Sequence, residues 1–123
     1  EMAHMLVNEV LRINPWYCAA AWNLLGDIFW FADDVERSEA AYQQAVECNP
    51  ENYRGYFNLY TIHRQRGRYD KAVEMAAMAL AMDRGGTETE RTMAALEDAS
   101  KLLREQRKLA IEWRKSRHAG SPL

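Results

Sequence analysis

The sequence predicts an all-α fold: a solenoid of helical hairpins with half a repeat, two full repeats and a long C-terminal capping helix. Three observations support this prediction. Residues 19–86 contain one 34-residue unit written twice, and a period of this length indicates stacked supersecondary units. Apolar residues within a unit recur at helical spacing, as Trp22, Leu25 and Phe29 do at i, i+3 and i+7. After the repeats, no Gly or Pro occurs until Gly120, which permits one helix of about 30 residues.

The two copies of the unit carry large and small residues at matching positions. The first copy has Trp22, Leu25, Gly26, Phe29, Ser38, Tyr42, Ala45 and Pro50, and the second has Tyr56, Leu59, Tyr60, His63, Ala72, Ala76, Ala79 and Arg84. This pattern resembles the tetratricopeptide repeat family, whose signature is W-x2-L-G-x2-Y, then A-x3-F, then P. The resemblance implies antiparallel helix pairs whose first helices line a concave groove that holds a peptide or a partner's helix.

The second copy departs from the signature at two linked positions. Tyr60 stands where the family has a small residue, and Ala76 stands where the first copy has the large Tyr42. Cores tolerate swaps that conserve total volume, so we expect a volume exchange inside the second helix pair. His63, at an aromatic position, is expected to be a partly buried core histidine rather than a metal ligand.

The repeat register divides the chain. Residues 1–86 are predicted to form the repeats, with a partial repeat and linker at 1–18 and full repeats at 19–52 and 53–86. A capping helix is expected at 87–118, followed by a disordered tail at 119–123. The apolar face of the partial repeat is expected to pack on upstream sequence or on a neighbouring chain.

Local signals mark where individual helices begin and end. Gly67 falls where a helix needs a left-handed residue after its last turn. Thr87 and Glu90 fit a capping box at the start of the long helix. The second half of that helix is expected to extend beyond the repeat body. Its apolar stripe is predicted to run through Met93, Leu96, Ala99, Leu103, Gln106, Ala110 and Trp113.

Charge is distributed unevenly along the 123 residues, whose net charge is −2. Residues 1–100 hold 9 Lys and Arg against 16 Asp and Glu, a net charge of −7, whereas residues 101–123 hold 7 against 2, a net charge of +5. The two ends are therefore expected to meet different partners.

Composition also bears on location and redox state. No stretch approaches the ~20 apolar residues of a membrane span, and no secretory signal is apparent, so we expect a cytoplasmic protein. Glu1 as the first residue is expected of a fragment of a longer protein. Cys18 and Cys48 show no metal-site spacing and are predicted to be two reduced thiols.

No constellation of residues indicates an enzyme, a metal site or a cofactor. His4, His63 and His118 fall on three separate segments, without the i, i+4 pairing of zinc sites on helices. Asp33 and Asp34 lack the glycine and terminal glutamate of a calcium loop and are expected in a solvated turn. We therefore expect no catalytic residues, no metal and no cofactor.

The resemblance, carried over residue by residue, implies a partner-binding groove. Its predicted residues lie on the first helix of each pair: Asn23, Asp27, Trp30 and Phe31, then Arg54, Phe57, Asn58, Thr61, Arg64 and Gln65. Asn23 and Asn58 can each donate to and accept from a peptide backbone. Trp30 and Phe57 could serve as apolar anchors, while Phe57 and Phe31 could instead pack on neighbouring helices; the sequence leaves both alternatives open.

One subfamily binds acidic chaperone tails through a clamp of two Lys, two Asn and one Arg. Only Asn58 matches that clamp here. Asn23 and Asp27 replace a Lys and an Asn, and Glu88 and Thr92 replace a Lys and the Arg. An acid at Asp27 would repel a carboxylate ligand, so the resemblance does not extend to chaperone tails.

The basic C-terminal stretch is predicted to carry a second interface at Leu109, Ile111 and Trp113. We favour an interface with a partner helix there, and the next alternative is a solvated face that binds nothing. An anionic membrane surface or an acidic second copy also fit the charge. Nucleic acid is disfavoured because the rest of the chain is acidic.

These observations favour a protein–protein interaction scaffold with a protein or peptide partner. The alternatives are a non-catalytic regulatory or targeting segment of a larger enzyme, and self-assembly into a homo-oligomer through the exposed repeat ends.

Overall fold

The computed structural model describes residue 5, residues 17–83 and residues 85–120. Within these ranges the chain forms five helices and no strand: α1 Cys18–Phe31, α2 Val35–Cys48, α3 Tyr53–Gln65, α4 Tyr69–Met82 and α5 Thr89–Gly120. The all-α prediction is confirmed. The predicted partial repeat at 1–18 lies outside the described residues, apart from Met5, Tyr17 and Cys18.

The helices pack in chain order as a short solenoid. α1 packs on α2, α3 packs on α4, α2 joins the two pairs through α3, and α5 covers α4. Each layer buries its own apolar cluster, centred on Leu25 and Phe29 between the first two helices and on Ala72, Ala76 and Ala99 at the other end. Surface depressions are lined by α1, α3 and the first turns of α5.

Both helix pairs turn through the same left-handed backbone position. Asp33 has a φ of 62° and Gly67, 34 residues later, has a φ of 74°. The residue after each donates its N–H to a carbonyl five positions earlier, at 2.9 Å in the first turn and 2.8 Å in the second. This is the hydrogen-bonding pattern of a Schellman motif. Gly67 therefore occupies the predicted position.

The volume exchange is visible in the two helix pairs. Gly26 faces Tyr42 so closely that a Cβ added at Gly26 would lie 2.4 Å from the tyrosine ring. In the second pair the large side chain is on the first helix instead. There Tyr60 of α3 and the fully buried Ala76 of α4 belong to one cluster. His63 is also buried, as expected, and burial lowers its pKa.

Cys18 and Cys48 form a disulfide, which corrects the prediction of two reduced thiols. The first residue of α1 and the last residue of α2 meet because two antiparallel helices of equal length bring these ends together. Their Cα atoms are 5.9 Å apart, within the range that a disulfide spans. The link closes the first helix pair at the end opposite to its turn.

The long helix differs from its predicted start, stripe and end. α5 begins at Thr89 rather than Thr87, and the Asp83 carboxylate accepts from the Glu88 N–H and the Thr89 hydroxyl. The buried stripe is Thr92, Ala95 and Ala99. Of the predicted stripe, Ala99 is buried and Leu96 packs on the same cluster, whereas Met93 is 55% exposed. At the other end the helix includes residues 119 and 120, which were predicted to be disordered, while 121–123 lie outside the described residues.

The second half of α5 extends beyond the repeat body, as predicted. Gln106 donates from Nε2 to the Gly67 carbonyl at 3.1 Å. Every side chain from residue 104 to residue 118 is exposed. We call residues 107–120 the overhang.

Candidate protein-binding groove

Three adjoining depressions form one groove along α1, α3 and the start of α5. The first, of about 360 Å³, contains Asn23, Asp27 and Arg54. The second, of about 230 Å³, shares Asp27 and Arg54 with the first. The third, of about 590 Å³, shares two residues with the second. All ten residues predicted for the groove line it: Asn23, Asp27, Trp30, Phe31, Arg54, Phe57, Asn58, Thr61, Arg64 and Gln65.

Asp27 is the centre of a polar network that joins three helices. Its Oδ2 atom accepts from Arg54 Nη2 at 3.2 Å, and its Oδ1 atom accepts from the Tyr42 hydroxyl at 2.5 Å. Burial, together with this hydrogen bond, raises the pKa of the Tyr42 phenol, which therefore stays protonated and keeps donating. Asp27 thus holds Arg54 at the groove wall.

The α5 wall of the groove was not expected from the sequence. Arg64 Nε donates to Asp98 Oδ2 at 2.5 Å, and this hydrogen bond lowers the pKa of the Asp98 carboxyl. The guanidinium of Arg91 stacks 4.1 Å from the centroid of the Phe57 ring. Phe57 therefore packs on its neighbours, which is one of the two alternatives that the sequence left open for it.

Two of the predicted polar residues carry buried atoms with no hydrogen-bond partner. These atoms are Asn23 Oδ1 and Asn58 Nδ2, and Asn52, which lines the same depression as Asn23, has an unpaired Nδ2. Buried polar atoms are nearly always paired in folded proteins. These buried, unpaired amide atoms therefore destabilise the unbound chain. Thr61 differs, because its hydroxyl donates to the Phe57 carbonyl at 3.1 Å.

An exposed apolar stripe runs along α1 beside these polar residues. Leu24 is 60% exposed, Ile28 is 40% exposed and Phe31 is 86% exposed. Phe31 was among the predicted groove residues, but Leu24 and Ile28 were missed. The available signal was their i, i+4, i+7 spacing, which is offset from the core stripe of Trp22, Leu25 and Phe29 on the same helix.

The chaperone-tail clamp does not form here. Thr92, which stands at the clamp arginine position, is fully buried. Its Oγ1 donates to the Glu88 carbonyl at 2.7 Å and lies 2.9 Å from the Tyr53 hydroxyl. Neither Thr92 nor the paired Asp27 offers a positive charge to a ligand carboxylate.

The predicted second interface lies on the overhang, away from the groove. Leu109, Ile111 and Trp113 are each more than half exposed. Leu109 and Trp113, four residues apart, share one helix face, whereas Ile111 points to another. The Arg117 guanidinium lies 5.0 Å from the centroid of the Trp113 ring.

Among the residues that the structure describes, no cluster of three or more His, Cys, Asp or Glu side chains could hold a metal ion. The same residues include no helix that is both long and apolar enough to cross a membrane.

Comparison with known proteins identifies the repeat and the fold. The sequence pattern of the tetratricopeptide repeat matches residues 8–53 and 23–87. The crystal structure of the MamA protein is similar, with a TM-score of 0.57 and 18% sequence identity over 95% of this chain and 65% of the MamA chain. This chain therefore spans less than two thirds of MamA, and at this identity the likeness bears on the fold alone. No curated protein sequence matches this chain.

Proposed function

This chain belongs to the tetratricopeptide repeat family, and we propose that it is a non-catalytic interaction scaffold that holds a partner peptide or helix in the groove. Repeats of this family generally mediate protein–protein interactions. The extended concave surfaces of such solenoids are the surfaces that they use for binding.

The exposed stripe of Leu24, Ile28 and Phe31 is the observation that carries this proposal. α1 already buries a full apolar stripe against α2, so these three side chains have no structural need to be apolar. Contiguous exposed apolar residues with polar neighbours mark interaction sites. Here Asn23, Asp27 and the rest of the groove supply the polar neighbours.

The proposal is tested by capture from a lysate of the source organism. Wild type is compared with Leu24→Ser/Phe31→Ser, which changes only exposed groove positions, and with Met78→Ser, an exposed apolar residue on α4 outside the groove. Circular dichroism first establishes that all three are folded. We expect a partner that binds wild type and Met78→Ser and is lost from the groove variant. Equal retention by all three would contradict the groove as the site.

The overhang supports a second, independent contact. Leu109 and Trp113 extend apolar surface beyond the body, and the charged side chains of the overhang are all basic except Glu112. We propose that this face meets an acidic partner helix, and a Leu109→Ser/Trp113→Ser variant should then lose a different partner from the groove variant. Ile111, on the opposite side, should be dispensable.

Cytoplasmic location and self-assembly through the repeat ends stay predictions. A sizing column with light scattering at two concentrations tests self-assembly, and a mass that stays at one chain would end that alternative.

A further inference from the structure

The start of α1 lies on the wall of the groove and beside the disulfide. Cys18 is the first residue of α1, and the next two residues, Ala19 and Ala20, line the depression of about 360 Å³. On the other side of the bond, Asn49 follows Cys48 and lines the same depression. The disulfide therefore connects two walls at one end of the groove.

Non-covalent contacts hold the first turn of α1 weakly. Tyr17, at the N-cap position, makes no capping hydrogen bond from its side chain, and the first turn contains no acidic residue. Capping side chains and acidic residues both stabilise a helix start, because its first N–H groups have no partner in the helix. Ala19 and Ala20 bury little surface, because each side chain is a single methyl group. The covalent bond from Cys18 to Cys48 therefore does most to fix this turn.

The end of α2, in contrast, is held without the disulfide. The Asn49 N–H donates to the Ala45 carbonyl at 3.1 Å, and the Asn49 carbonyl accepts from the Asn52 N–H at 3.0 Å. The Asn49 side chain also accepts from the Glu51 N–H at 3.1 Å. Opening of the disulfide would therefore release the start of α1 rather than the end of α2.

The second helix pair anchors the corresponding position in another way. Asn52 and Met82 stand 34 residues after the two cysteines, so this pair has no such link. At the start of α3, the Tyr53 hydroxyl lies 2.9 Å from the Thr92 hydroxyl of α5. A repeat of this fold therefore needs no disulfide at this position. In the first pair the anchor is one that a reductant can remove.

We propose that the Cys18–Cys48 disulfide is a redox switch that regulates partner binding at this end of the groove. In the closed form the first turn of α1 is fixed and the groove wall is complete. In the open form residues 18–20 unwind. Asn23 and Leu24 then lose the carbonyl partners of their N–H groups, because a helical N–H bonds four residues back. The partner binds this form more weakly. The inference rests on the proposed function, because it concerns regulation of the same groove.

A dithiol reductant opens the switch. Cys48 is exposed and Cys18 is half-buried, so a thiolate of the reductant attacks Cys48 Sγ. The S–S bond breaks, and Cys18 leaves as a thiolate that takes a proton from water. The second thiolate of the reductant then attacks its own sulfur in the mixed disulfide and releases Cys48, which is protonated in turn. Two electrons and two protons pass to the cysteines, and the dithiol becomes a cyclic disulfide.

Hydrogen exchange of the full chain, followed by mass spectrometry, tests the structural part. Oxidised wild type is compared with wild type reduced by dithiothreitol and with Cys18→Ser/Cys48→Ser, which cannot close the bond. We expect the amides of residues 22–24 to be protected in the oxidised chain and to exchange in both open forms at nearly the rate of an unstructured chain. The amides of residues 57–62 in α3 should stay protected. A purely structural disulfide would lower the protection of the most stable amides and leave residues 22–24 protected.

A binding measurement tests the functional part. A library of random 12-residue segments is selected on immobilised oxidised wild type, and the Kd of the best peptide is measured by fluorescence anisotropy. If the first turn is formed in about a tenth of the open molecules, reduced wild type should bind about tenfold more weakly. Cys18→Ser/Cys48→Ser should bind like reduced wild type, with or without reductant.

A capping substitution separates the first turn from overall stability. Tyr17→Asp, added to Cys18→Ser/Cys48→Ser, supplies an N-cap and should restore part of the affinity. Gln43→Asp is the matched control, because it adds the same charge at an exposed position of α2 outside the groove. It should restore nothing.

Three results overturn the inference while the proposed function stands. In the first, the amides of residues 22–24 stay protected in the reduced chain. In the second, oxidised and reduced wild type bind the peptide equally, although the groove variant Leu24→Ser/Phe31→Ser does not bind it. In the third, Tyr17→Asp restores no more affinity than Gln43→Asp. If the groove variant binds normally, or if no peptide is selected, peptide binding in the groove is overturned and the inference falls with it.

Discussion

A methyl group added at Gly26 is expected to destabilise the first helix pair. It would lie 2.4 Å from Tyr42 Cε1 and 2.5 Å from Cδ1, closer than non-bonded carbons approach. The ring is not free to swing aside, because Tyr42 is buried and its hydroxyl donates to Asp27. Overpacking costs about 1–3 kcal/mol and the higher helix propensity of alanine offsets about 1 kcal/mol of this cost, so Gly26→Ala should lower the free energy of unfolding by up to about 2 kcal/mol.

Urea unfolding followed by circular dichroism measures this effect. Gly85→Ala is the control, since a Cβ there meets nothing within 4 Å. The reasoning also predicts a change of sign. In a Tyr42→Leu background the clash is gone, and Gly26→Ala should then stabilise the chain. Stabilisation in the wild-type background, or an unchanged cost beside Leu at position 42, would refute the packing argument.

The second helix pair offers the reciprocal experiment. Tyr60→Gly removes a buried ring from the cluster that contains Ala76, and should cost about 4–6 kcal/mol from the lost packing and the added glycine. Tyr60→Gly/Ala76→Tyr places the large side chain as in the first pair and should recover part of that loss. An unchanged melting temperature in Tyr60→Gly, or no recovery in the double variant, would contradict the volume exchange.

Three further changes test the turn, the buried histidine and the disulfide. Gly67→Ala should cost about 1–2 kcal/mol in the urea assay, because the φ of 74° is unfavourable for alanine although space is available. Burial lowers the pKa of His63 below 6.5, so its contribution to stability is complete above that pH and is lost as the pH falls below it. The urea midpoint should therefore be lower at about pH 5.5 than at about pH 7.5, and this difference should be smaller in His63→Phe. Reduction of the Cys18–Cys48 disulfide, which spans 30 residues, should lower the free energy of unfolding by about 3–4 kcal/mol, and Cys18→Ser/Cys48→Ser should no longer respond to reductant.

The repeat register was predictable because it depends on local spacing. Trp22, Leu25 and Phe29 fix which face of α1 is buried, and the same spacing 34 residues later fixes α3. Because the register also fixes which positions face the groove, the ten predicted groove residues lie together along it. Gly67 was identifiable because few residues adopt its backbone conformation.

The remaining features depend on which helices meet, and that information is not local. In α5, a stripe through Thr92 and a stripe through Met93 both have helical spacing, and only packing on α4 selects the first. The disulfide requires the two ends of the first helix pair to be adjacent in space. Leu24 and Ile28 look like core residues by composition, and their exposure follows from the packing of α1 on α2 through its other face.

Because α5 is one continuous helix, the overhang moves with the half that packs on the repeat body. The helix is held by the repeat body as far as the Gln106 contact with Gly67, and the 14 residues beyond it span about 21 Å. A tilt of the packed half by about 10° would therefore move the tip by about 4 Å. A partner that tilts α5 through contacts with Arg91 or Asp98 would thus displace Trp113 without any change in secondary structure.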